Sequence, residues 1–405
     1  RWLDRSSLAC QLGEKTELKK STRYSLTIMP GIAAQDGETI LKPFFHQFIT
    51  ERPIVRHVWL KSWIAPGFPV LQVTFNQAVS KASVVQHMAF QLEENQKPRT
   101  YPITVEADPD DRKLPRFIVA PGENILLDFG EPEKKNKADD EHQRIDGLEA
   151  RRIWLLKPQK ELPLDTRVEL TVEPGLVSAF GWEVSHVNRT VLEFDTFPEF
   201  KFNGVSCRDN KNNKLLISGK NFKSIGKCNP LGRTALNFSV PVLNSEVKNK
   251  IRITPDLAGG RKDYDPWANR NDYTRLNYPH KKGRSYDVWL PERLKAAQLY
   301  EIAQIPGKVL QDEFGRELTR KVDQGFLTDH RKPDFKLVHR QSVLEAGIDS
   351  ELPLYVTNLK EVILKFNRLT SEDGSKNQHL DLQVANAEDI SFAMPMNVRK
   401  MLDNK

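Results

Sequence analysis

Three cysteines are the first residues in this chain that could carry chemistry. They stand at Cys10, Cys207 and Cys228. Three are too few for the disulfide framework of a small secreted domain. Cys207 and Cys228 lie 21 positions apart (228 − 207) and can pair, which would indicate an oxidising compartment. The spacing alone equally allows two buried free thiols.

Motifs for catalysis or metal binding are missing from the sequence. It contains no G-x-S-x-G, no H-E-x-x-H and no glycine-rich loop followed by Lys-Ser or Lys-Thr. The 9 histidines are dispersed, and none forms a pair at metal-ligand spacing. We therefore assign no catalytic residue, no cofactor site and no metal site, and we expect that the chain is not an enzyme.

One acidic cluster offers a possible exception. Asp108, Asp110 and Asp111 could present oxygens to calcium or act as paired acids. The alternative interpretation is a turn, because Asp and Pro are frequent in turns.

An aromatic loop is the best candidate for ligand binding. The polar segment 256–287 carries Tyr264, Trp267 and Tyr273 among Asp and Asn side chains. Rings that stack and acceptors that bind hydroxyls are what a sugar-binding surface needs. The alternative is that these rings pack back on their own domain.

Charge and hydropathy exclude two classes of protein. The 61 Lys and Arg side chains exceed the 54 Asp and Glu by 7, and both signs are interleaved. A nucleic-acid-binding protein usually concentrates its basic residues, so we predict no nucleic-acid partner. The densest basic patch, 280–284, is interpreted as a solvated loop. No apolar run reaches the roughly 18 residues of a membrane span, so any membrane contact would need an anchor outside this chain.

An internal repeat indicates how the chain is organised. The segment 18–32 recurs as 162–176, at an offset of 144 (162 − 18), and a weaker third copy starts at Leu299. Each copy has alternating apolar residues, then Pro-Gly, then a second glycine and a Phe-x-Thr element. Alternation predicts a strand with one buried face, and Pro-Gly predicts a turn. The repeated unit is therefore a β-hairpin.

The period of the repeat is that of whole domains, which predicts an all-β fold of tandem Ig-like or fibronectin-like β-sandwiches in an elongated array. The front half of the unit is found only in the last two copies, so we expect the chain to begin inside a domain. The expected domains are the back half of a sandwich at 1–52, a complete sandwich at 53–198, a sandwich with the insert 256–287 at 199–332, and the start of another β-domain at 333–405.

The repeat resembles a known domain type. The stretches Val73–Val79, Pro174–Leu176 and Phe194–Thr196 are similar to the bacterial Ig-like domains near the N-terminus of bacterial alpha-2-macroglobulin-family proteins. The tail from Val343 to Leu369 looks like the opening of a macroglobulin-type domain. The resemblance covers most of the chain, although its motifs are structural.

That resemblance implies a non-catalytic scaffold fragment of a broad-range protease inhibitor that traps proteases. It implies a periplasmic, often lipid-anchored protein, with target proteases and neighbouring domains as partners, and we expect a monomer. The family's thioester would read Cys-x-Glu-Gln, which none of the three cysteines matches, so bait region and thioester would lie beyond Lys405. A periplasmic address favours the Cys207–Cys228 disulfide. The alternative is an Ig-like adhesin or partner-binding array that uses the aromatic insert.

Overall fold

The computed structural model is built almost entirely of β-strands, as the alternating patterns predict. It describes residues 18–33, 37–39, 41–94, 97–109, 149–338, 351–366, 378–383 and 387–397, with isolated positions between 338 and 351. The chain forms two compact units. The first unit contains residues 1–199 and 274–284, and the second contains 200–273 and 285–405.

The first unit holds a hairpin and a seven-stranded antiparallel sheet in the order β3-β4-β7-β6-β5-β8-β9. The hairpin is formed by β1 and β2, which pair Tyr24 with Phe48. The elements are β1 (Arg23–Ile28), β2 (Phe44–Ile49), β3 (Val55–Ala65), β4 (Phe68–Ser80), α1 (Lys81–His87), β5 (Met88–Glu94), β6 (Lys97–Ala107), β7 (Ala150–Pro158), β8 (Arg167–Val172) and β9 (Arg189–Asp195).

The second unit contains two four-stranded sheets, β11-β10-β13-β15 and β12-β17-β16-β14, followed by the smaller sheets β18-β19-β22 and β20-β21. A short 3-10 helix lies at Phe222–Ser224. The elements are β10 (Phe202–Arg208), β11 (Lys214–Ile217), β12 (Lys227–Cys228), β13 (Ala235–Phe238), α2 (Asn244–Lys250), β14 (Ile251–Thr254), β15 (Tyr286–Trp289), β16 (Leu299–Gln304), β17 (Asp323–Thr328), β18 (Asp334–Leu337), β19 (Glu351–Thr357), β20 (Glu361–Phe366), β21 (Gln378–Gln383) and β22 (Phe392–Asn397).

Aromatic side chains fill the sandwich of the first unit. Trp154 is fully buried and its indole N–H donates to the carbonyl of Val79 at 3.0 Å. The Trp63 ring meets Phe194 edge-on at 5.6 Å, and Phe194 meets Phe90 at 6.1 Å. Edge-to-face contacts of this kind are favourable beyond the area that they bury. The aromatic side chains of β3, β5 and β9 therefore form one cluster in this core.

A threonine closes each copy of the repeated hairpin. The hydroxyl of Thr196 donates to the carbonyl of Pro163 at 2.6 Å and accepts the N–H of Thr166 at 2.9 Å. We call this pair of bonds the threonine clasp. The same bonds recur at Thr50 with Lys19 and Thr22, and at Thr328 with Lys295 and Gln298.

The clasp fixes an unusual backbone position. Asp165, just before Thr166, has a φ of 52°, and the equivalent Ser21 and Ala297 have φ values of 52° and 49°. These values lie in the left-handed region, which L-residues seldom occupy. Since the three side chains differ, the conformation follows from the clasp and not from the residue type.

The three hairpins differ in how far their inner faces are covered. Leu26 of β1 is 45% exposed, whereas Leu170 and Ile302 at the equivalent positions of β8 and β16 are 0% exposed. Tyr24 stacks on Phe48 at 5.6 Å, and its counterpart Tyr300 stacks on the buried Phe326 at 5.4 Å. The first hairpin thus has the geometry of the others without their burial.

Candidate functional site

The structure joins Cys207 and Cys228 in a disulfide. Their Sγ atoms are 2.02 Å apart and their Cα atoms 5.7 Å apart. Cys207 lies on β10 and Cys228 on β12, so the bond ties the two four-stranded sheets of the second unit together. Both cysteines are buried. Cys10 lies outside the described residues.

The aromatic insert is largely engaged by its own neighbours. The guanidinium of Arg261 lies 3.9 Å above the Tyr264 ring, and the Tyr264 hydroxyl donates to Glu292. That bond to Glu292 raises the pKa of the Tyr264 hydroxyl. The guanidinium occupies one of the two ring faces on which a sugar could stack.

The rest of the insert is held in a similar way. Asp265 pairs with Lys248 of α2 at 2.6 Å, and the Lys248 bond lowers the pKa of the Asp265 carboxyl. Trp267 is half-buried, whereas Tyr273 is 74% exposed. Of the three candidate binding residues, Tyr273 is therefore the ring that solvent reaches most freely.

Asp108 belongs to the core of the first unit. Its carboxylate accepts from Lys61 Nζ and from Gln72 Nε2, each at 2.5 Å. A buried carboxylate with two donors of this kind acts as a structural ion pair. Asp110 and Asp111 lie outside the described residues, so the proposed acidic cluster is placed only at Asp108.

Two features are absent from the part of the chain that the structure describes. Within those residues, no group of three or more His, Cys, Asp or Glu side chains is placed to hold a metal ion. No helix among them is long and apolar enough to cross a membrane.

Buried amides form a polar joint between the first hairpin and the sandwich that follows it. Asn76 donates to the carbonyl of Arg52 at 2.8 Å and accepts the N–H of Ile54 at 2.9 Å. Gln77 donates to the carbonyl of Glu51 at 2.9 Å, and its own oxygen accepts from Ser21 at 3.2 Å. Asn76 and the amino group of Gln77 thus hydrogen-bond the linker backbone, which fixes the path of the linker, while the Gln77 oxygen accepts from the Ser21 and Ser178 hydroxyls.

An ion-pair bridge completes this joint. Glu183 binds Arg23 at 2.9 Å and Arg52 at 2.7 Å. The bond from Arg52, followed by that from Arg23, lowers the pKa of the Glu183 carboxyl. Next to it, Gly181 lies against the backbone of Ser21, where an added Cβ would come within 2.1 Å of the Ser21 oxygen. Only glycine allows this approach.

The second unit contains a joint of the same type. Asn358 donates to the carbonyl of Arg331 at 2.6 Å, and its oxygen accepts the N–H of Asp389 at 2.6 Å. Asp389 also accepts from Arg331 N and bonds the His330 ring at 2.8 Å. Burial raises the pKa of the Asp389 carboxyl, but the bonds from Asn358, Arg331 and His330 lower it below its usual value.

The basic patch is where the sequence interpretation fails. Lys281, Lys282 and Arg284 are exposed, as a solvated loop predicts, but His280 is only 1% exposed. Its ring stacks on Phe197 at 4.5 Å, and its carbonyl accepts the N–H of Asp195. No periodicity or motif marks His280, because its partners are more than 80 positions away in sequence.

Comparison with known proteins gives one informative sequence match. No family model matches the chain. It is 25% identical over 293 residues, or 72% of its length, to the "Alpha-2-macroglobulin homolog" of Nostoc sp.. The matched region makes up only 13% of that much longer protein.

Two solved structures match the chain distantly. The N-terminal part of the bacterial S-layer protein SbsC aligns with 68% of this chain and 44% of its own, at 11% identity and a TM-score of 0.19. The longer rSbsC(31-844) structure aligns with 85% of this chain and 54% of its own, also at 11% identity and a TM-score of 0.19. The sheets described above make the chain a tandem β-sandwich protein, and its sequence is similar to one part of an alpha-2-macroglobulin homolog.

Proposed function

We propose that this chain is a non-catalytic scaffold portion of a bacterial alpha-2-macroglobulin-like inhibitor of proteases. The observation that carries the proposal is the sequence similarity to the Nostoc homolog, which extends over most of the chain. The two polar joints support a scaffold role, since the amide side chain of Asn76 in one and of Asn358 in the other hydrogen-bonds linker backbone. Bait region and any thioester would lie in other parts of the full protein.

The proposed compartment is the periplasm. A buried disulfide between two sheets is stable in an oxidising environment and is rare in a reducing one. Any membrane anchor would lie outside this chain, and its partners would be target proteases, reached through the full protein, together with neighbouring domains.

The test uses the natural polypeptide that contains this chain. It is mixed with endoproteases of different specificity, and the remaining activity is measured on a large protein substrate and on a small chromogenic peptide. A trap removes activity on the large substrate and spares activity on the peptide. This chain alone, as the matched control, should change neither activity. Unchanged activity on both substrates with the full polypeptide would contradict the proposal.

A sugar-binding adhesin is the second candidate, and the exposed Tyr273 ring is the observation in its favour. A glycan array probed with this chain separates the two functions. Specific binding that Tyr273→Ala or Trp267→Ala abolishes, with Trp182→Ala at another exposed ring as the control, would support the adhesin and count against a purely structural role.

A further inference from the structure

Residues 274–284 form a segment that we call the strap. The strap belongs to the first unit, although the residues on both sides of it belong to the second. It has no strand or helix of its own, so contacts with the sandwich hold it in place. A few anchoring residues must therefore hold the strap on the sandwich.

The first anchor is a hydrogen bond from a core side chain. The indole N–H of Trp63 donates to the carbonyl of Tyr278 at 3.1 Å. Trp63 is itself buried and meets the Phe197 ring edge-on at 5.0 Å. If the strap were released, the indole N–H would lose its acceptor, and the Trp63 and Phe197 rings would become more exposed to solvent. At this first anchor, docking is therefore favoured by apolar burial and by one hydrogen bond.

The second anchor is His280. Its ring lies nearly parallel to Phe197, at 4.5 Å and 23°, and its carbonyl accepts the N–H of Asp195 at 2.9 Å. Lys282 then donates its backbone N–H to the Asp195 carboxylate at 2.7 Å. The Lys282 ammonium pairs with Asp165 at 3.6 Å on the surface, where an ion pair contributes little.

We propose that the strap is an acid-released latch, docked on the sandwich while His280 is neutral and freed when the ring takes up a proton. The reason is geometric: a ring that is 1% exposed and stacked on phenylalanine loses most of its hydration, and a charged imidazolium needs that hydration more than a neutral one does.

The charges that face His280 do not compensate for its burial. Asp195 and Asp165 on the sandwich favour the protonated ring, whereas Arg284 on the strap opposes it. Burial is the largest effect, and it lowers the pKa of His280 from 6.5 to about 4. The neutral ring is thus the form that docks.

The sign of the pH effect follows from linkage. The docked ring has a lower pKa than the free ring, so docking is fully favourable above pH 6.5 and weakens as the pH falls from 6.5 toward 4. Between pH 7.5 and pH 5.0 this difference reduces the docking equilibrium constant about 30-fold.

Hydrogen exchange with mass spectrometry on this chain tests the latch. Protection factors, corrected for the intrinsic exchange rate, are compared at pH 7.5 and pH 5.0 for peptides covering 190–198 and 276–284. We expect an about 30-fold fall in the strap amides, with unchanged protection in β4 as the sign that the sandwich stays folded. Strap protection that does not change with pH would overturn the proposal.

Variants identify the titrating group. His280→Phe keeps a ring against Phe197 without a titratable nitrogen, and His280→Leu is the second variant should the larger ring not fit. Either should abolish the pH dependence, whereas His186→Phe, at an exposed histidine, should leave it intact. A full acid response in both His280 variants would refute the latch.

Two further measurements separate the anchors. Trp63→Phe removes the bond to Tyr278, so it should lower strap protection equally at both pH values. If the strap amides of both His280 variants are already unprotected at pH 7.5, the latch is tested instead by measuring strap protection in the natural sequence over a series of pH values. A one-proton transition with its midpoint between 4 and 6.5 supports the latch, and any other midpoint or slope rejects it.

Discussion

At the scale of single residues, the threonine clasp occurs at three positions of the described chain, Thr50, Thr196 and Thr328. A single hydroxyl satisfies a carbonyl and an N–H that the hairpin geometry would otherwise leave unpaired. Thr196 is fully buried. If the hydroxyl is removed, water cannot reach the site to replace it. The Pro163 carbonyl and the Thr166 N–H then stay buried without this hydrogen-bond partner.

We expect Thr196→Val to lower the free energy of unfolding by about 1–3 kcal/mol, because Val keeps the shape and removes the hydroxyl. Urea unfolding measures the change. Thr328→Val, at an equally buried clasp in the second unit, should have a similar effect. Thr27→Val, on an exposed position of β1, should stay within about 0.5 kcal/mol. A Thr196→Val protein as stable as the original would show that the clasp hydroxyl gives no net stabilisation.

At the scale of elements, equivalent strands of the repeat allow matched substitutions. Leu170→Ala in β8 should lower the free energy of unfolding by about 2–5 kcal/mol, since it leaves a cavity in a packed core. Leu26→Ala in β1 should lower it by less than about 1 kcal/mol, since that side chain is already 45% exposed. Denaturant unfolding of both variants, with Ile302→Ala as a third case, gives the comparison. Equal losses for Leu26 and Leu170 would mean that the inner face of the first hairpin is covered in solution.

The disulfide also acts between elements, because it links strands of different sheets. Replacing Cys207 and Cys228 together by Ala should lower the free energy of unfolding by about 3 kcal/mol, the value for a loop of this length in the chain-entropy account. Urea unfolding with and without reductant measures it. Peptide mapping after alkylation of the unfolded, unreduced protein is the control. Alkylation of both thiols without reductant would show that no disulfide is present.

Much of the element pattern could be predicted from the sequence. The alternation at Tyr24, Leu26 and Ile28 predicts a strand, and β1 spans these residues. Alternation shows only which side chains of a strand share a face, so the patterns of β1 and β8 look the same. It cannot show that the inner face of β8 is covered whereas that of β1 is exposed. The sheet that covers a face comes from distant sequence.

The candidate site was harder to predict for the same reason. Composition identified Tyr264, Trp267 and Tyr273 as an aromatic group, but not the Arg261 guanidinium over Tyr264. The basic run 280–284 indicated a solvated loop because all five of its residues are polar or glycine. Burial of His280 depends on Phe197, and no local pattern encodes a contact over that separation.

At the scale of the whole molecule, the two polar joints lead to the same prediction in each unit: replacing the amide side chain should loosen the backbone that it binds. Asn76→Ala should raise the exchange rate of the Ile54 amide about fivefold, because that amide loses its acceptor and the bond contributes about 1 kcal/mol. Asn358→Ala should do the same for the Asp389 amide. Hydrogen exchange measures both rates, while amides in β4 and β16 should stay protected. Unchanged exchange at Ile54 and Asp389 would show that the amides do not hold the linkers.

The strap determines whether the two fragments stay associated when the backbone is cut once between the units. A cut at Pro198–Glu199 leaves the strap on the C-terminal fragment, while its anchors Trp63, Asp195 and Phe197 remain on the N-terminal one. The two fragments would therefore stay associated after the nick and separate only in denaturant or, by the latch proposed above, in acid. Hydrolysis of one peptide bond at this position would therefore not by itself separate the two parts of the chain.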